Sequence, residues 1–232
     1  MKYLLIFIGV IIFVFVVRLG ELQTQPGRYQ NYWDRRNQLP ARNNQILYIA
    51  LGDSTAQGIG ANKPDNGYPG LIADKLEAEY GKPVRLINLS KSGAKIDHAL
   101  EVQLPKLKDH EINKSTILTI EIGANDMKSF EPGKFESEMD SLMSQLPKQT
   151  TISDIPYFGG GLFRNLEPNV EKANKIMYKL AEKHGFKLAS LHDKIKANSG
   201  PRTFAADYFH PSSYSYKTNW APAFIEALDD AK

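Results

Sequence analysis

From residue 45 onward the chain alternates short runs rich in β-branched residues with stretches of helical apolar period, and few architectures accept that pattern. ILYIAL (46–51), VRLINL (84–89), STILTIEI (115–122) and TTISDI (150–155) are bounded by glycine or polar turns and read as buried strands; FKLASL (186–191) is a weaker fifth. Between them Phe135, Met139, Leu142, Met143 and Leu146 fall on one helical face. Val170, Ala173, Ile176, Met177, Leu180 and Ala181 repeat the pattern, with Gly185 as the expected C-cap. A last helix is predicted over 220–230, with Pro222 in its first turn. Strand–helix alternation at this spacing implies a parallel sheet with helices on both faces. Ligands of such sheets bind outside the carboxyl ends of the strands, so the residues just after each strand are the ones to search. No internal repeat or low-complexity tract interrupts 45–232, which is expected to form one domain.

The first twenty residues, MKYLLIFIGVIIFVFVVRLG, have a different character. Tyr3 to Val17 carries no charge, and as a helix it covers about 22 Å, short of the roughly 30 Å hydrocarbon core of a bilayer. Leu19 and Gly20 extend it, with Arg18 snorkelling to the interface. A cleaved export signal would end in small residues, whereas Val17 is followed by Arg-Leu-Gly-Glu-Leu-Gln. Residues 1–20 are therefore expected to be an uncleaved signal anchor, with secretion after cleavage as the alternative. The distribution of arginines does not fix the orientation, but a short N-terminal apolar run of this kind usually serves export, which places the rest of the chain outside the cytoplasm. Residues 21–44 are polar, contain two prolines and read as a juxtamembrane linker. Its rings, Tyr29, Tyr32 and Trp33, fit either the lipid headgroups or a packed position against the domain.

Composition removes several classes of function. The chain has no cysteine, which excludes disulfides, thiolate metal sites and a cysteine nucleophile. A net charge of +3 with no dense basic stripe argues against nucleic acid. His98, His110, His184 and His192 lack paired ligand spacing and read as surface or packing residues, so neither a metal nor another cofactor is expected.

Four segments carry chemistry. The first strand runs into Gly52-Asp53-Ser54, which exposes a serine at the mouth of a sheet, although the same tripeptide also describes an ordinary turn. The second strand is followed by Ser90-Lys91-Ser92-Gly93, and the third by Gly123-Ala124-Asn125-Asp126. A serine attacking a carbonyl generates an oxyanion that needs fixed N–H donors. The backbone N–H groups of Ser54 and Gly93 and the amide of Asn125 could supply them; a helix N-cap is the structural alternative for Asn125-Asp126. Near the C-terminus Asp207-Tyr208-Phe209-His210-Pro211 puts a carboxylate three residues before a histidine, within reach of its Nδ1–H on a turn.

These four segments, in this order and approximate spacing, resemble the four blocks of the SGNH (GDSL) hydrolase family across essentially all of residues 45–232. The resemblance implies a flavodoxin-like three-layer α/β/α sandwich on a mostly parallel five-stranded sheet, and a metal-free esterase or lipase. It further implies Ser54 as nucleophile, His210 as general base and then acid, Asp207 as the group that orients the histidine, and an oxyanion hole of Ser54, Gly93 and Asn125. Thr55 departs from the leucine that many members carry after the serine, with an expected effect on the pocket wall alone.

Competing motifs are incomplete. Ser92-Gly93-Ala94-Lys95 matches Ser-x-x-Lys without its companion elements, Ala56 breaks a Gly-x-Ser-x-Gly elbow, and Gly58-Ile59-Gly60 lacks the third glycine of a dinucleotide loop. An acyltransferase using the same residues and a non-catalytic envelope-binding module remain the alternative functions. After the fourth strand, Tyr157, Phe158 and Phe163 with a glycine run either border an acyl pocket or cover the core as a plain loop. The expected activity is hydrolysis of carboxylic or thioesters through an acyl-enzyme, the substrate being a lipid, an acylated glycan or a small ester. The other expected partner is a membrane reached through the N-terminal helix, with the protein itself a monomer.

Overall fold

The computed structural model describes residues 2–229. In chain order the elements are α1 (Lys2–Asn37), β1 (Ile46–Gly52), α2 (Tyr68–Tyr80), β2 (Val84–Asn88), α3 (Ile96–His98), α4 (Leu104–Leu107), β3 (Ile117–Glu121), α5 (Pro132–Gln145), β4 (Thr150–Ser153), α6 (Glu167–His184), β5 (Leu188–Ala189), α7 (Leu191–Ala197), α8 (Ser213–Ser215) and α9 (Ala221–Asp229). All five strands are parallel, in the order β2-β1-β3-β4-β5. The five runs predicted to be strands are the five strands of this α/β sheet.

Alternation along β1 builds both layers. Ile49 and Leu51 face a core made with Leu104, Phe135, Met139, Met143, Val170 and Met177, whereas Tyr48 and Ala50 face one made with Trp33, Tyr68, Ile72, Leu191 and Phe224. Each fully buried Leu, Ile, Val or Met contributes about 1.5–3 kcal/mol, so the two layers hold the sheet from both sides. The predicted faces of α5 and α6 are the buried ones, with Ile176 only half covered, and Gly185 caps α6 through a bond to the Ala181 carbonyl. Buried Asn174 of α6 bonds both the N–H and the carbonyl of Ile155 just beyond β4 (2.8 and 3.0 Å), which fixes the start of the loop that follows.

Two segments depart from the sequence expectations. The last helix starts well before Trp220: Ser212 caps it by accepting from the Ser215 N–H, and a π turn over Tyr216–Trp220 joins α8 to α9. Pro222 thus lies inside a helical run, where the wider turn just before it makes room for a ring that meets the carbonyl four residues back. Asp230, the predicted end, lies outside the described residues.

The second departure is larger. Residues 21–37, expected to be a linker, continue α1 without a break, Pro26 included. Polar side chains conceal its apolar period, because the buried positions Leu22, Gln25, Tyr29 and Trp33 recur every three or four residues but mix rings and an amide. Tyr29 and Trp33 take the packed option and not the headgroup one: Trp33 is buried and its Nε1–H donates to the Gln57 carbonyl (3.0 Å). The N-terminal part is exposed and apolar, and among the described residues α1 is the single helix long and apolar enough to cross a membrane. Replacing Trp33 by alanine removes a buried ring and its hydrogen bond and should destabilise the fold by about 3–5 kcal/mol, read as a lower urea midpoint with an unchanged slope.

Candidate active site

The register of the sheet sets the frame of the site. Gly52, the last residue of β1, pairs with Glu121, the last of β3. A side chain at Gly52 would start 2.3 Å from the Glu121 carbonyl oxygen, and φ is +137°, so only glycine lets the two strand ends approach this closely. Gln103 clamps the same point, accepting from the Gly52 N–H and donating to its carbonyl, both at 2.8 Å. The chain leaves this fixed point as Asp53 and Ser54.

Ser54 is buried, and its Oγ lies 3.0 Å from Nε2 of His210. Nδ1 of His210 is 2.6 Å from Oδ2 of Asp207. The other Asp207 oxygen accepts from the backbone N–H groups of Phe209 and His210, both at 3.0 Å, and Tyr208, between Asp207 and Phe209, adopts φ +54°. The carboxylate therefore organises the turn as well as the imidazole. Burial pushes the Asp207 carboxyl up, but the His210 hydrogen bond and charge and the two N–H donors outweigh it and hold the group below the usual range. Such an imidazole, with its Nδ1–H taken by a carboxylate, presents a lone pair on Nε2 to the serine proton.

The other predicted residues gather around Ser54. Gln57 ties the Ser90–Gly93 segment to the serine loop, accepting from the Ser92 N–H (3.0 Å) and donating to the Ser90 carbonyl (3.3 Å). Gly93 takes φ +79° with nothing within 4 Å of where a side chain would begin. Among the described residues no hydrogen bond engages the backbone N–H of Ser54 or of Gly93. Asn125 is no N-cap: Gly123 holds that position before a 3₁₀ turn over Ala124–Ser129. Its amide nitrogen instead lies 3.0 Å from Oδ2 of Asp53 and 3.0 Å from the Ala94 carbonyl, a bridge between the serine segment and the Gly93 segment.

A cavity of about 20 Å³ adjoins Ser54, room for roughly one water. Tyr157 and Phe158 line it; Phe163 does not, and packs edge-on against Phe209 at 4.9 Å. Phe204, Phe209, Ile195 and Trp220 belong to the same apolar wall. The Phe158 N–H donates to Glu167 (2.7 Å), whose other oxygen lies 2.7 Å from Nε2 of buried His192, so this wall is tied down.

Sequence reading missed what lies beneath the serine. Asp53, Thr55 and Glu121 are all buried, and the Thr55 hydroxyl stands within hydrogen-bond distance of Asp53 (3.0 Å) and of Glu121. One hydroxyl proton cannot serve two carboxylates. Burial raises both acids, and the Asp53 charge raises Glu121 further, so Glu121 is the protonated partner. The available signal was a glutamate at the end of an otherwise uncharged strand. Thr55 lines the cavity, as expected of a pocket-wall residue, and in addition supplies this hydroxyl.

The sequence profile of GDSL-like lipases and acylhydrolases matches residues 50–218. Comparison with curated protein sequences gives no match. Among solved structures, an extracellular lipase from Streptomyces rimosus superposes with a TM-score of 0.60 at 19% identity, over 78% of this chain and 99% of that one. An acetylxylan esterase from Geobacillus stearothermophilus gives 0.60 at 18%, over 79% and 94%. Phospholipase A1 from Streptomyces albidoflavus gives 0.56 at 19%, over 78% and 99%. At such identities the likeness is one of fold.

Because the folded pKa of Glu121 lies above its unfolded value near 4.5, its contribution is fully present below pH 4.5 and is lost as pH rises towards the folded value. Glu121→Gln has no proton to lose. It should melt several degrees higher than the parent at pH 7, at about 2–4 °C per kcal/mol, and the gap should close near pH 4 in paired thermal scans.

Proposed function

We propose, from the premise that this chain belongs to the GDSL-like lipase/acylhydrolase family, that it hydrolyses carboxylic or thioesters through an acyl-enzyme formed on Ser54. Family membership establishes an ester-hydrolysing serine hydrolase; the residue roles are our reading. The observation that carries it is the unbroken relay from Ser54 Oγ through His210 to Asp207, at 3.0 and 2.6 Å.

In the first step Ser54 Oγ bonds to the ester carbonyl carbon while its proton passes to Nε2 of His210. The negative oxygen is received by the Ser54 and Gly93 N–H groups. The tetrahedral species collapses as Nε2–H returns that proton to the leaving alcohol or thiol, which departs and leaves an acylated serine. Water then gives a proton to Nε2 and attacks the acyl carbon, and the reverse transfer frees the acid and restores the serine. Asp207 keeps the imidazole in the tautomer that both halves need, and balances its charge while protonated.

Asn125 enters on different terms. Both its N–H groups face acceptors, so it joins the cradle by sharing or releasing one of them as the oxyanion forms. Its bond to Asp53 supports that role by holding it between the other two donors.

The cleft lies at the edge expected for a parallel sheet, and the long apolar helix supports attachment to a membrane; that a short N-terminal apolar run usually serves export supports a hydrolase on its outer side. Tyr157 and Phe158 are read as the acyl-pocket wall, with Phe163 supporting it through Phe209.

Ester hydrolysis, followed with p-nitrophenyl esters of increasing chain length, should fall by several orders of magnitude in Ser54→Ala and His210→Ala, with loss of organophosphonate labelling in the first. By analogy with other serine triads Asp207→Asn should cost roughly 10⁴-fold. Unlabelled Ser54, or a fully active Ser54→Ala, overturns the mechanism. Asn125→Ala should lower kcat roughly 10²–10³-fold with KM little changed; a loss under about tenfold would assign the cradle to the two backbone donors alone. Phe158→Ala should raise KM for longer esters by removing a wall of the acyl pocket; an unchanged chain-length preference removes Phe158 from that role.

A further inference from the structure

We infer that the carboxyl edge of the sheet is the face this protein lays against the lipid bilayer, so that its ester substrate is a lipid taken from that bilayer. The inference rests on the esterase reading above and on where α1 docks. Gln25 and Tyr29 donate to the Ala61 carbonyl (3.2 and 2.6 Å), and the Gly60 N–H donates back to Gln25 (2.7 Å). Trp33 donates to the Gln57 carbonyl, Gln57 to Gln30 (2.7 Å), Arg36 pairs with Asp65, and Asn37 exchanges two bonds with the Asn88 backbone (2.8 and 2.9 Å). Residues 57–65 follow β1 and Asn88 ends β2, so these contacts fall on the edge that carries Ser54. The Gly60 backbone in turn lies against His210 and Pro211.

Towards the N-terminus the same helix meets the other side of the active centre. Arg18, Glu21 and Leu22 line a concave surface of about 310 Å³ whose far wall holds Arg202, Phe204 and Ser212. Phe204 also walls the cavity beside Ser54, so the two spaces share a lining residue. Arg18, bonded to Glu21 (3.2 Å), and Arg202, stacked over Tyr214, bring two guanidinium groups to this surface, which suits phosphate oxygens of a headgroup.

The distance is short and rigid. Val17, the last residue of the exposed uncharged run, precedes Gln25 by about 12 Å of continuous helix. That is comparable with one headgroup layer, about 5–8 Å deep, plus a single side chain. With the apolar run in the hydrocarbon, the loops bearing the cleft reach the interface, and the helix offers no slack by which the domain could turn away. An uncharged run this long, exposed from Ile6 to Val17, is the chemistry of a lipid environment and not of a protein groove.

The absence of native cysteine allows single labels. The full chain is reconstituted in phosphatidylcholine–phosphatidylglycerol vesicles, with a fluorophore on Asn62→Cys at the carboxyl edge or on Lys114→Cys, which precedes β3 at the opposite edge. A headgroup spin-labelled phospholipid should quench the first label about twofold more strongly than the second. In the same vesicles the chain should hydrolyse lysophosphatidylcholine. A flexible Gly-Ser insertion between Val17 and Arg18, which leaves every docking contact in place, should lower that rate about fivefold while p-nitrophenyl acetate hydrolysis stays constant. Equal or reversed quenching, or a lipid rate that the insertion does not change, overturns the inference while the esterase reading stands. Failure of the parent to hydrolyse p-nitrophenyl acetate, or Ser54→Ala matching it, overturns the esterase reading and leaves the quenching to decide the bilayer face by itself.

Discussion

The close approach of β1 and β3 at Gly52 is the constraint on which the site depends. It lets two strand ends meet with no side chain between them, and Gln103 locks the junction from the side with paired amide bonds. Ser54 follows two residues later, and Asn125 follows Glu121 by four. Sheet register therefore sets where Ser54 and Asn125 begin, and the loop hydrogen bonds of Asn125 and Gln57 finish the placement. A site built on strand ends keeps its geometry at little entropic cost on substrate binding, which is what electrostatic stabilisation of a short-lived oxyanion requires.

Beneath that junction the protein keeps two acids away from water. Asp53 holds Asn125, and Glu121 remains neutral, sharing the Thr55 hydroxyl with Asp53. One oxygen of Glu121 and the hydroxyl of Ser153 are buried without a partner, so the arrangement is not optimised for stability. Strain of this sort is tolerated where function requires a fixed polar group in a dry place.

Much of the fold was legible from periodicity, because strands buried on both faces and helices buried on one leave different spacings in the sequence. The five strands, both amphipathic helices and the Gly185 cap follow from that. The extent of α1 was not legible, since its docked face is made of Leu22, Gln25, Tyr29 and Trp33 in a stretch whose prolines and arginines resemble a linker. Nor was the early start of the last helix, where a π turn breaks the period ahead of Pro222. At the site, Ser54, His210 and Asp207 announce themselves because their chemistry limits the choice of residue. The acid pair beneath them does not, because a single glutamate at a strand end has meaning only once register brings it to Asp53 and Thr55. Asn125 stands out in the sequence as an amide after a strand, but its attachment to Asp53 and Ala94 depends on a convergence that linear spacing does not encode.

Phe209 has a double allegiance. Its ring walls the space beside Ser54, lies tilted against Phe158 and edge-on to Phe163, and its own backbone N–H is one of the donors that fix Asp207. The next residue along is His210. A guest large enough to move that ring pulls on the turn that aims the imidazole, so under the proposed mechanism the wall of the acyl pocket and the alignment of the proton acceptor are mechanically one part.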